Sequence, residues 1–366
     1  MKNHLHILRL APLALLLLLL SACAAPKYIM RLDTEQRTDA AALVWPAVPE
    51  TPRYRFVGQL KGDENFVLDQ TSPNFDGKKL LYWLIGLLGM DDDRVMLKRP
   101  QSGMVDAAGR ILVTDVGRVL VFDQAAGKLD VWDRALLNTP FISPIGIVQG
   151  AAGEILVADS GLGRVFRLSP DGKPLGEFGE KNVLKRPTGL ARDPQRGRVY
   201  VADTPAHEVK VFDDDEVLLY TLGQRAGVDA EDNGRLNFPT HIAFAQDKLY
   251  VADSIDARVQ MYDAQGAPAG ILGQRGLYVG NLVRPKGVTV DGDGNLYVVE
   301  SYYDYLLIYN RRGEFLMPLG GSGAQAGKFF LPAGIWSDRQ GRIYVADMFN
   351  SRVAIFQFLG APDVAK

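Results

Sequence analysis

Gly341-Arg342-Ile343-Tyr344-Val345-Ala346-Asp347-Met348-Phe349-Asn350-Ser351-Arg352-Val353-Ala354-Ile355-Phe356 is the fullest copy of a unit that recurs along this chain. Val157-Ala158-Asp159, Val201-Ala202-Asp203 and Val251-Ala252-Asp253 repeat its centre, while Val113-Thr114-Asp115 and Val298-Val299-Glu300 are looser copies. The acidic residues stand at 115, 159, 203, 253, 300 and 347, so the steps are 44, 44, 50, 47 and 47 residues. A self-similar period of this length, built from short β runs with almost no helical pattern, is the signature of four-stranded propeller blades. Six copies predict an all-β chain of six blades.

Each unit opens on a proline: Pro144-Ile145-Gly146-Ile147, Pro187-Thr188-Gly189-Leu190, Pro285-Lys286-Gly287-Val288 and Pro332-Ala333-Gly334-Ile335. Unit one has Pro100-Gln101-Ser102-Gly103-Met104, with one extra residue, and unit four has Pro239-Thr240-His241-Ile242. Proline ends an incoming loop but cannot donate to a central ladder, and glycine suits an inner strand crowded against an axis. Turns such as Asp291-Gly292-Asp293-Gly294 then reverse the chain into the second strand. The sixth unit lacks an outer strand after Phe356, whereas Tyr54-Arg55-Phe56-Val57-Gly58-Gln59-Leu60 alternates like a half-buried strand. Residues 54–60 are therefore expected to complete the last blade, closing the ring with both chain ends and protecting its edges.

The full pattern, Pro-x-Gly-Ile, turn, Tyr-Val-Ala-Asp, then Asn-x-Arg-Val-x-x-Phe, resembles the NHL repeat over residues 54–358. The resemblance implies a six-bladed NHL-type β-propeller. Together with the leader described next, the chain resembles NHL-propeller lipoproteins of the bacterial cell envelope.

Residues 1–22 read as a secretory leader, with Lys2 and Arg9 ahead of the apolar run Leu10 to Leu20. Leu20-Ser21-Ala22-Cys23 resembles a lipobox, which implies cleavage before Cys23 and a diacylglycerol on its thiol. Cys23 is the only cysteine, so no intramolecular disulfide can form. By analogy with enterobacterial sorting, Ala24 favours the outer membrane, with the protein facing the periplasm. Residues 23–53, with Pro26, Pro46, Pro49 and Pro52, read as a lipidated, extended tether, and residues 359–366 as a tail. Loss of Lys2 and Arg9 leaves 39 basic against 43 acidic residues, and the sequence has no basic block to suit nucleic acid.

Residues 61–98 form the one long departure from the repeat. They contain the apolar run Lys79 to Met90, too short to span a bilayer, followed by Asp91-Asp92-Asp93. The run is expected to form a short helix that either packs on the propeller as core or caps the channel. Trp83, Leu84 and Leu87 would alternatively touch a membrane or partner.

A residue that recurs once per blade is most simply structural. The aspartates and Arg118, Arg164, Arg258 and Arg352 are accordingly expected to brace loops. Breaks in the repeat are more informative. His207 stands where Asn350 stands in the last unit, His241 replaces an inner-strand glycine, and unit five has Glu300 followed by Ser301-Tyr302-Tyr303-Asp304-Tyr305. These breaks fall near loops of one propeller face, making His207, His241, Glu300, Tyr302, Tyr303 and Tyr305 the candidate binding face. The partner would be an envelope protein, a peptide or a glycan, with no catalysis and no cofactor. The alternative, implied by propeller relatives, is a metal-dependent enzyme at the channel mouth. Amidating lyases acting on peptidyl-hydroxyglycine use zinc on three histidines, and lactonases use calcium on carboxylates and amides. His207 and His241 supply two zinc-type donors only, and no Gly-x-Ser-x-Gly elbow is present.

Overall fold

The computed structural model describes residues 27–32, 43–69, 94–223 and 233–360. Cys23, the leader, Trp83, Leu84, Leu87 and the rest of the apolar run lie outside them. Six sheets form the ring, and in each the strands are labelled A to D from axis to rim. Blade 1 runs Ser102–Val105, Ile111–Asp115, Arg118–Asp123, Lys128–Trp132, and blade 2 runs Pro144–Gln149, Ile155–Asp159, Arg164–Leu168, Pro174–Phe178. Blade 3 comprises Pro187–Asp193, Arg198–Asp203, Glu208–Asp213 and Leu218–Leu222, and blade 4 comprises Pro239–Ala245, Lys248–Asp253, Arg258–Asp263 and Pro268–Leu272. Blade 5 is Pro285–Val290, Leu296–Glu300, Tyr305–Tyr309 and Phe315–Gly320. All neighbouring strands within these sheets pair antiparallel.

Blade 6 takes strands A to C from Pro332–Ser337, Arg342–Asp347 and Arg352–Phe358, and strand D from Tyr54–Leu60, with Val353 opposite Leu60 and Phe358 opposite Tyr54. The expected closure by the two chain ends is therefore present. The segment read as an extended tether is partly docked. Val44–Trp45 adds a fifth strand to blade 6, and the Trp45 ring meets Phe356 edge-on at 5.6 Å. Tyr28–Met30 pairs with Phe66–Leu68, at the start of the long departure, and Phe66 stacks on Phe122 of blade 1. Among the described residues, no helix is long and apolar enough to cross a membrane.

Each B strand is buried on both faces, which explains its apolar run. Alternate residues serve opposite neighbours. Ile111 and Val113 pack with Tyr344 and Ile355 of blade 6, while Leu112 packs with Ile147 and Val157 of blade 2. The inner strands touch all round the axis. A Cβ on Gly334 would lie 2.4 Å from the Gln101 carbonyl oxygen, and one on Gly146 2.3 Å from that of Thr188. Hydroxyls stitch neighbouring blades at the same level, Thr204 donating to the Pro239 carbonyl at 2.7 Å and Ser254 to that of Pro285 at 2.5 Å.

Candidate functional site

The D-to-A connections and the B-to-C loops emerge on one face, here called the entry face, and the acidic residue ending each B strand fastens them. Asp159 accepts the backbone N–H groups of Ile142, Ser143, Gly161 and Leu162, and Asp203 accepts those of Lys185 and Arg186. Asp115 likewise accepts Lys98 and Arg99. Arginines of the C strand complete three of these braces: Arg118 with Asp115 at 3.1 Å, Arg258 with Asp253 at 3.0 Å and Arg352 with Asp347 at 2.8 Å. Arg164 instead pairs with Glu177 at 2.6 Å. Burial pushes the Asp253 carboxyl up to about 6 and raises that of Asp347, against the arginines that oppose the shift.

Glu300 does the same work in blade 5. It is 1% exposed and accepts the N–H groups of Val283, Arg284 and Tyr302, so its carboxylate faces loop backbone rather than solvent. The tyrosines after it do reach the surface. Tyr302 is exposed and meets Tyr303 edge-on at 4.9 Å, and Tyr305, partly buried, begins the C strand.

The two histidines sit in different surroundings. His207, in a left-handed backbone conformation, belongs to the B-to-C loop of blade 3, where its Nδ1 accepts the Phe238 N–H at 3.3 Å. His241 lies inside the channel, not on the entry face. Its Nδ1 accepts the Val288 N–H of blade 5 at 3.4 Å, and its Nε2 lies 3.3 Å from Ser102 Oγ of blade 1, directly across the axis. Burial depresses this imidazole to about 4. With Nδ1 accepting, the proton is on Nε2, which donates to Ser102. In that tautomer Nε2 has no free lone pair for the serine proton.

The cavity beside His241 is about 190 Å³ and is lined by all six inner strands. A larger one, about 630 Å³, opens on the opposite face between Asp106, Gln246, Asp291, Asp338 and Arg339. Its aspartates are engaged in turns, Asp291 holding the Tyr297 hydroxyl at 2.6 Å and Asp338 that of Tyr344 at 2.8 Å. Among the described residues, no three His, Cys, Asp or Glu side chains converge in a way that could hold a metal ion.

The entry face carries more apolar surface than the broken repeats signal. Phe238, Ile255, Tyr302, Phe330 and Phe349 are exposed there. Leu277 and Tyr278, 75% and 84% exposed, belong to the connection into blade 5 where it runs along the rim, the Gly280 carbonyl accepting the Tyr309 hydroxyl at 2.9 Å toward the far end of that blade's C strand. Sequence reasoning passed over Leu277-Tyr278-Val279, although an apolar triplet between Gly276 and Gly280 in a surface connection is itself a signal.

Residues 184–212, from the loop into blade 3 to its C strand, match the NHL repeat model. A comparison with curated protein sequences found no match. Among solved structures, a catalytically inactive virginiamycin B lyase from Staphylococcus aureus with quinupristin is similar at 13% identity and a TM-score of 0.54, covering 91% of this chain and all of its own. A gluconolactonase from Xanthomonas campestris is similar at 17% identity and a TM-score of 0.54, covering 72% of this chain and 89% of that one. A Bacteroides thetaiotaomicron protein of unknown function is similar at 15% identity and a TM-score of 0.55, covering 71% and 70%. At such identities the likeness is one of fold. The chain is thus a six-bladed β-propeller that carries an NHL repeat at residues 184–212.

Proposed function

We propose that this propeller is a docking module of the bacterial envelope, anchored by lipid on Cys23 and binding a protein partner through its entry face. The observation that supports this reading is the set of exposed aromatic and aliphatic side chains on that face, above all Tyr302, Phe330 and Phe349. Aromatic side chains supply rigid contact area and dominate protein interfaces. Phe330 and Phe349 already meet edge-on at 5.5 Å, so part of the surface is organised before any partner arrives. The loops that present it are fixed by the buried carboxylates, which limits the ordering cost on binding.

The enzymatic alternative has fold likeness to a lyase and a gluconolactonase behind it, and nothing further from the described side chains. His207 and His241 each hold a different backbone N–H, and Glu300 is occupied by three.

The test is photocrosslinking in cells from Tyr302 and Phe349, with Arg339 on the opposite face as the control position. A discrete product from the two entry-face positions, lost when Phe238, Ile255 and Phe330 are all replaced by serine, is expected. Equal products from both faces, or a product unaffected by the triple replacement, would refute the docking assignment.

A further inference from the structure

The entry face also carries an arrangement of cations that form no ion pair among the described residues. An arginine directly precedes the inner-strand proline in blades 1, 3 and 5, as Arg99, Arg186 and Arg284, while Ser143, Phe238 and Leu331 hold that place in blades 2, 4 and 6. Alternate blades of a six-bladed ring are a third of a turn apart, so the three arginines surround the channel mouth. All three are exposed. Their backbone N–H groups are held by Asp115, Asp203 and Glu300, which fixes where each side chain starts.

Among the described residues, none of the three guanidinium groups forms an ion pair, whereas Arg110, Arg118, Arg167, Arg258 and Arg352 are all paired. Arg99 lies over the Phe349 ring at 5.4 Å and Arg284 over the Tyr302 ring at 5.8 Å. A stacked guanidinium keeps its in-plane N–H donors free while its position is restricted. Lys286, the second residue of the blade 5 inner strand, is partly buried and also forms no ion pair among the described residues. Burial first, and the Arg284 charge second, lower its pKa. Two cations so close together, one of them partly removed from water, repel each other unless an anion joins them.

We propose that the entry-face mouth of the channel binds an oxyanion, a carboxylate or a phosphate, with Lys286 at its base and Arg99, Arg186 and Arg284 around it. Arginine forks suit such groups through paired N–H donors, and the ammonium adds a point charge below. In a docking complex the oxyanion would belong to the partner, so this inference names the chemistry at the centre of the surface proposed above.

Full-length protein in a non-ionic detergent would be titrated with fluorescein-labelled hexaglutamate and, in competition, with inorganic pyrophosphate. Lys286→Met and the triple Arg99→Gln, Arg186→Gln, Arg284→Gln variant are each expected to weaken binding at least about fivefold. Arg339→Gln, on the opposite face, should leave it within about twofold. Hexaglutamate binding that pyrophosphate fails to displace indicates a carboxylate source, and displacement at low pyrophosphate indicates a phosphate. A readout on the unaltered protein is acetylation by acetic anhydride, in which bound probe should protect Lys286 and leave exposed Lys248 unprotected. Absence of binding by both probes, or binding that Arg339→Gln weakens as much as Lys286→Met does, overturns the site. Neither result touches the apolar docking surface, because the probes contain no apolar partner.

Discussion

Replacing Asp347 by alanine removes a carboxylate that is fully buried and makes three hydrogen bonds, from the Phe330 N–H, Asn350 Nδ2 and Arg352 Nε, each at 2.8 Å. Removing one partner of a buried ion pair costs about 3–5 kcal/mol. Arg352 keeps other acceptors, Gln59 Oε1 and the carbonyls of Ala324, Gln325 and Lys328, so the loss on its side falls toward the lower end. The abandoned Phe330 N–H adds a cost of about 1 kcal/mol. The expected destabilisation is therefore about 4 kcal/mol, or a fall in Tm of about 5 °C for a chain of this size. Urea and thermal unfolding of Asp347→Ala, Arg352→Met and the double variant would measure it. Because burial already disfavours the charged Asp347, the double variant should lose less than the two singles together. A loss below about 1 kcal/mol for Asp347→Ala, with additive singles, would show that the repeat carboxylates do not hold the blades.

Three further outcomes can be checked. The His241 imidazole titrates near 4 when folded and near 6.5 when unfolded, so between those values only the unfolded chain takes up the proton and stability falls as pH falls. Relative to His241→Gln, the native protein should lose about 2 kcal/mol between pH 7 and pH 5, and identical pH slopes in urea denaturation would place the ring in water. Gly334→Ala should cost about 2 kcal/mol or more, since its methyl would meet the Gln101 carbonyl and Ser102 Cα, backbone atoms that cannot rotate aside. An unchanged urea midpoint would mean that the inner strands stand further apart. Elemental analysis is expected to find no stoichiometric zinc, whereas one zinc per chain, lost in His207→Ala with His241→Ala, would replace docking with a metal-dependent reaction.

The blades were legible because one residue type recurs with one duty. Asp159 and Asp347 lie 188 positions apart, yet each fastens an incoming loop, and the apolar triplets before them fill the layers between blades. Closure through Tyr54–Leu60 was legible by subtraction, as the last unit lacked a strand that an early segment could supply. The site was harder to read. A histidine in place of a glycine signals a break, but only the approach of adjacent inner strands decides that His241 turns across the axis to Ser102. Glu300 looked like a departure and proved to be a longer arm for the same brace. The docking of Val44–Trp45 rests on two residues, too few for any periodicity to show.

Tyr28–Met30 also bears on how the protein would meet a membrane. The Tyr28 carbonyl lies where a Cβ on Gly127 would be, 2.0 Å away, and Gly127 is in the C-to-D turn of blade 1, on the side of the ring away from the entry face. From Cys23 to Tyr28 the chain spans five residues, a reach of at most about 18 Å. A lipid on Cys23 would consequently moor the disc on a short line rather than float it on a long one. Its berth would be the rim at blade 1, on the side of the A-to-B and C-to-D turns. Tyr302, Phe349 and the arginines would then look outward from the bilayer, toward whatever arrives through the aqueous space.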